Sequence, residues 1–140
     1  MSRGGGKAQI VNSEAGTVKC VEMSERPHKR LKLWGMAMDL VVKVYEMTKK
    51  FPRDEEFGLK AQLRRAIVSV PSNIAEGLTR STRKDKLHFL NIAQASLSEA
   101  DAQSEIALRL GYVDQNQYND VERDLSEVQK YLNGLSRSLR

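Results

Sequence analysis

Cations supply most of the chemistry this chain offers. Arg80, Arg83, Lys84 and Lys86 fall close together, opposed locally only by Asp85, and Lys60, Arg64 and Arg65 make a second group. Such clusters either hold phosphates or sit solvated on a surface. The total charge is +5, unevenly spread: residues 1–30 hold six Lys/Arg against three Glu, which leaves 17 against 15 for the rest. One copy therefore pulls weakly on nucleic acid. Strong attraction needs local clustering, the N-terminal segment, or several copies held together. Aromatic residues make up only 6%, too few to stack many bases, so specific base reading is not expected.

Other chemistries find less support. His28 and His88 lie 60 residues apart, and Ser69 and Ser72 flank Pro71 with no histidine near them in sequence. Those serines suit close helix packing and bonding to carbonyls freed at the proline. Asp85-x-x-His88 imitates half of a di-iron bundle site. No second half exists, and Lys84 and Lys86 oppose a cation. The expectation is a chain that is not an enzyme and holds no metal or cofactor. Gln94, Asp101 and Ser104, with Asn73 and Glu76, form an expected polar layer between helices. A buried carboxylate must be paired, so the layer reads as a register-fixing network involving Arg64 or Arg65, with a partner-binding polar pocket as the alternative.

The elements that position these groups are helical. The chain has 140 residues, 29% of them charged, and three prolines, which points to one all-α domain. Residues 1–26 show three consecutive glycines and no periodicity, and read as a flexible basic tail; a short strand at Ile10–Val11 or Val18–Val21 lacks an obvious partner. No apolar run spans a bilayer and no secretory signal is visible. The single cysteine, Cys20, cannot make an internal disulfide, so a cytoplasmic home is expected.

Pro27 can open the bundle, residues 27–140. The first helix spans about Leu31–Lys50, with one stripe of Trp34, Met38, Val41, Tyr45 and Thr48 beside another of Leu33, Ala37, Leu40, Val44, Met47 and Phe51. That face is wider than one neighbour covers, which predicts self-association. The second helix starts near Asp54 or Glu55 and keeps its stripe through Pro71 to Leu78, with a kink at the proline, whose cost is about 3 kcal/mol. The third runs from a Thr82/Asp85 cap to Leu110–Gly111, and the fourth begins at Asp114 with Gln117 in the matching capping position. Short connections between these long rods give an antiparallel up-down-up-down four-helix bundle.

The run Gln62-Leu63-Arg64-Arg65-Ala66 through Ser69-Val70-Pro71-Ser72-Asn73-Ile74-Ala75-Glu76-Gly77 resembles the small four-helix-bundle proteins first noticed in intervening sequences of bacterial large-subunit ribosomal RNA genes. Phe89-Leu90, Ile92-Ala93, Ser96-Leu97, Glu99, Asp101 and Leu110-Gly111-Tyr112 extend the resemblance, which covers about Trp34 to Tyr112. Leu78-Thr79 departs from the family's aromatic-Gly pair, and Ala95 stands where glycine is usual. The resemblance implies a bundle that assembles into a ring, commonly a pentamer, and that is not an enzyme. Related bundles are the accessory variability proteins of diversity-generating retroelements, which bind RNA and a reverse transcriptase through a basic surface. By that resemblance this chain is expected to be a homo-oligomeric RNA-associated adaptor, accessory to a reverse transcriptase. The alternative is a structural or protein-interaction scaffold without nucleic-acid binding.

Overall fold

The computed structural model describes residues 8–11, 19–22 and 26–140. Two strands, β1 (Ala8–Val11) and β2 (Lys19–Glu22), pair antiparallel with Ile10 opposite Cys20. This corrects the expectation of at most one short strand without a partner: both segments form strands, and each is the other's partner. The rest of the expected flexible tail lies outside the described residues. Four helices follow: α1 (Lys32–Thr48), α2 (Leu59–Leu78), α3 (Arg83–Arg109) and α4 (Gln115–Ser138). They form the expected all-α up-and-down bundle, with α1 packed on α2 and α4, and α3 on α2 and α4.

The helix ends follow local hydrogen-bond chemistry. Pro27 opens a separate 3₁₀ turn, Pro27–Arg30, and not α1, because Leu31 is extended between them. That turn tucks His28 into the bundle, its ring 4.9 Å from Trp34 in an edge-to-face pair. α1 stops at Thr48, whose hydroxyl donates to the Val44 carbonyl at 2.9 Å. α2 begins four or five residues later than the acidic pair suggested. Pro52 starts a short 3₁₀ turn over Arg53–Glu55, and the Glu55 carboxylate reaches forward to accept the Leu59 amide at 2.8 Å. Gly58 makes this possible, since a Cβ there would stand 2.7 Å from that carboxylate. Tyr112 donates to the other Glu55 oxygen at 2.9 Å, so the corner is tied to the far end of α3.

α3 has the expected cap, the Asp85 amide donating to Thr82 Oγ1 at 3.1 Å. It ends in a Schellman turn: Gly111 has φ +80°, its amide donates to the Leu108 carbonyl, and Tyr112 donates to the Ala107 carbonyl. α4 opens with a full capping box between Asp114 and Gln117.

α2 is helical from end to end, with Pro71 inside it. The proline removes one donor, and side chains attend to the carbonyls nearby. Ser72 donates to the Val68 carbonyl and Asn73 to the Ser69 carbonyl, at 2.9 and 2.8 Å. Across the α2–α3 seam Ser96 donates to Ser69 Oγ at 2.9 Å. Small side chains line this seam on the α3 side, Ala93, Ser96 and Ala100, and the helices approach closely. At Gly77 a Cβ would lie 3.1 Å from Phe89 Cβ and 3.2 Å from the Lys86 carbonyl oxygen.

The core draws on the second stripe of α1 (Leu33, Ala37, Leu40, Val44, Met47) and on Leu63, Ile67, Val70 and Ile74 of α2. Leu90, Leu97 and the alanines of α3 meet Val121, Leu125, Val128 and Leu132 of α4. The first stripe of α1 is split: Thr48 is buried and Trp34 and Val41 pack half-buried on the core, while Met38 is 40% exposed and Val42, beside it, 62%.

Candidate nucleic-acid interface

The cations named from sequence do not form one site. Lys60, Arg64 and Arg65 lie in the first half of α2, whereas Arg80 closes its far end, about 22 Å away along the axis. Two of the three are occupied. Lys60 pairs with Glu56 at 3.0 Å. Arg64 donates to Thr48 Oγ1 at 2.8 Å and to the Tyr45 carbonyl at 3.0 Å, with its guanidinium 4.3 Å from the Tyr45 ring. Arg64 therefore fastens α2 to the end of α1. Arg65 is exposed on the rim of a 220 Å³ notch lined also by Gln62, Ser69, Ser96 and Glu99.

The polar layer also resolves differently. Asp101 and Glu76 are exposed, Gln94 bonds to Asn133 of α4, and Asn73 turns back to Ser69 of its own helix. Of the five, Ser104 alone is fully buried. The cause is the helical period: the alanine-rich stripe of α3 faces the core, which carries Asp101 to the edge. There, burial first and then Glu122 and Glu105 push its carboxyl above the ordinary carboxylate range.

At the α2–α3 turn the corner cations come together. Arg80 is a positioning group, its guanidinium 4.6 Å from the Phe89 ring and paired with Glu76. Arg83 and Lys84 are exposed with no acidic partner among the described residues, and Lys86 is half-buried beside them. Arg83, Lys84, Leu87, His88 and Asn91 line an open depression of about 680 Å³. The bond between Gln94 and Asn133 sets the α3–α4 register, and antiparallel counting from it places Arg137 at the level of Leu90, with Arg140 following just past the end of α4. Sequence grouping missed these two cations. The signal that locates them is the pair of capped helix starts, Thr82 and Asp114, which fixes α3 and α4 as antiparallel neighbours.

Pairing separates the two ends of the rod. Among the described residues near the α1–α2 and α3–α4 turns, Lys43, Lys49, Lys60, Arg109 and Arg123 are in ion pairs, Lys43 with both Asp120 and Asp124, while Lys50 and Arg53 are exposed and in none. Among the described residues of the opposite end, only Arg80 is paired. An unpaired exposed cation keeps its field for an incoming phosphate; a paired one has largely spent it.

Residues 29–134, nearly all of the bundle, match the family described as 23S rRNA-intervening sequence protein. The chain belongs to that family. A solved structure of a protein with unknown function from the S23 ribosomal protein family of Bacteroides thetaiotaomicron is similar, with a TM-score of 0.67 at 24% identity, over 74% of this chain and 97% of that one. At that identity the likeness speaks for the shared fold. No curated protein matches the chain. The family match takes in the corner cations and most of α4, and leaves out β1 and β2.

The histidines take no part in a shared centre. His28 is buried against Trp34 and His88 is exposed in the basic depression. Among the described residues no cluster of three or more His, Cys, Asp or Glu is arranged to hold a metal ion.

Proposed function

We propose that this member of the 23S rRNA-intervening sequence protein family is a non-enzymatic, ring-forming adaptor that associates with RNA. The observation that carries the reading is the set of unpaired cations at the α2–α3 turn, Arg83 and Lys84 foremost. On one subunit their field is modest; repeated around a ring it becomes substantial. Support for assembly comes from α1 and α2. Met38, Val42, Tyr45 and Val68 are exposed, and a 330 Å³ groove lined by Trp34, Met38, Val41, Val68, Pro71 and Ala75 runs beside them. A subunit would otherwise leave this apolar strip in water.

The finer reading makes the ring, a pentamer, an accessory to a reverse transcriptase in a diversity-generating retroelement, working in the cytoplasm. A reverse transcriptase and a variable repeat beside the gene would support it. Their absence would remove it and leave the RNA adaptor standing. No helix among the described residues is long and apolar enough to cross a membrane.

The test is a titration of the intact oligomer with RNA across salt concentrations, its mass fixed by light scattering. Five subunits with two phosphates each give a slope of about −7. No binding above background at low salt would remove the proposal. The apolar strip also favours a second reading, a scaffold that binds proteins only. Arg83→Gln with Lys84→Gln separates the two: the adaptor loses RNA affinity, while the scaffold keeps both oligomer and protein partners.

A further inference from the structure

We propose that RNA is held end-on, by its sugar-phosphate backbone, in a cationic channel that α3 and α4 build jointly and that opens at the α2–α3 end of each subunit. The inference rests on the RNA-binding reading and assigns it a surface.

Two faces make the channel. On α3, Arg83, Leu87 and Asn91 recur at helical spacing on the side that reaches Gln94, with Lys84 and His88 on the outer lip of the same depression. On α4, Asn133 and Arg137 do the same, and Arg140 follows two residues past the helix end. The Gln94–Asn133 bond closes the floor where the two faces converge. From there each face runs outward to the same end of the bundle, which brings Arg137 to the level of Leu90 and Asn91. The guanidinium of Arg137 lies back over Gly134, 3.9 Å from where a side chain there would begin.

Charge decides the ligand and its orientation. Cut across its middle, with residues 31–40, 69–96 and 127–140 as one half, the bundle holds 8 Lys/Arg against 4 Asp/Glu in the half with the channel, and 9 against 11 in the other. The second half has more cations, yet most of them are neutralised in ion pairs. A polyanion is therefore attracted to one end and repelled from the other. Bases contribute little here. Phe89 is capped by Arg80, and the most exposed aromatic, Phe57 at 94%, lies at the opposite end. Contacts limited to phosphate and sugar position a strand without reading it.

The experiment uses the full-length protein with a 20-nucleotide poly-U RNA and a mixed-sequence RNA of equal length. Arg137→Gln with Arg140→Gln removes two cations from the α4 wall. Lys50→Gln with Arg53→Gln removes two exposed cations from the far end as a charge-matched control, and light scattering and circular dichroism verify assembly and fold. Losing two phosphate contacts makes the salt slope shallower by about 1.4 per engaged subunit, which is about 25-fold in affinity at 0.1 M salt. The expected result is that loss for the α4 pair, near-wild-type binding for the control, and similar affinity for both RNAs. Equal losses in the two variants would overturn the channel and leave general attraction to a basic protein. Full binding by the α4 pair while Arg83→Gln with Lys84→Gln loses it would also overturn the channel, yet keep the RNA adaptor. Absence of RNA binding by the wild-type protein would remove both.

Discussion

Replacing Gly77 by alanine probes the close crossing that sets the α2–α3 end. In an open helix interior this change stabilises by ~1 kcal/mol, through propensity alone. Gly35 on α1 provides that reference, because a Cβ there meets nothing within 4 Å. At Gly77 the new carbon would stand 3.1 Å from Phe89 Cβ and 3.2 Å from the Lys86 carbonyl oxygen. Neither neighbour can swing aside by changing rotamer, since one is backbone and the other is fixed to it. Overpacking of this kind costs ~1–3 kcal/mol. Set against the propensity gain, the net loss expected is ~1 kcal/mol, or about 4 °C in Tm for a domain of this size. Thermal unfolding of the two variants, at one protein concentration, gives opposite signs: Gly35→Ala up, Gly77→Ala down. If Gly77→Ala rises in step with Gly35→Ala, the helices are not in contact there and the placement of the corner cations fails with it.

Two further outcomes follow from named contacts. Arg64→Gln removes hydrogen bonds to Thr48 and the Tyr45 carbonyl, so unfolding should become easier by ~1–2 kcal/mol while RNA affinity per folded oligomer stays unchanged; a selective loss of RNA binding would instead make Arg64 a phosphate contact. Glu55 accepts the Leu59 amide and, second, the Tyr112 hydroxyl, which together hold its carboxyl below the usual carboxylate range. Its contribution to stability is therefore present above the unfolded-state carboxylate pKa and disappears as pH falls through the depressed native value. Denaturation of wild type and Glu55→Gln across pH 7 to 2.5 should show a gap at neutrality that closes in acid, and a gap constant with pH would refute the capping role.

What could be read from the chain depended on how far each interaction reaches. The Thr82 cap, the Asp114–Gln117 box and the Gly111 turn involve residues three to five apart, and each is where the sequence pattern put it. The four-helix architecture followed, because capped rods with short connections have few ways to pack. The start of α2 did not, since Pro52 and Gly58 together hand capping to a side chain four residues back. α1 carries two apolar stripes of similar strength, and only its neighbours decide which is core. The cation groups were visible as groups, but their availability was not. Lys60 is spent on Glu56, one helical turn away, a pairing open to sequence inspection; the partners of Arg64 belong to another helix. Arg137 lies about fifty residues from Lys84 in the chain, and only the register between α3 and α4 brings them to one surface.

The up-down topology has a practical corollary. Both Pro27 and Arg140 belong to the end of the rod that bears Arg83 and Lys84, while the connections 49–58 and 110–114 belong to the other. An affinity handle or fluorescent fusion joined at either side of the bundle would hang over the surface under study and could mimic or mask an RNA. A dye attached at exposed Asp54, or a short insertion beside it, sits a full helix length away and reports on assembly without shading that surface.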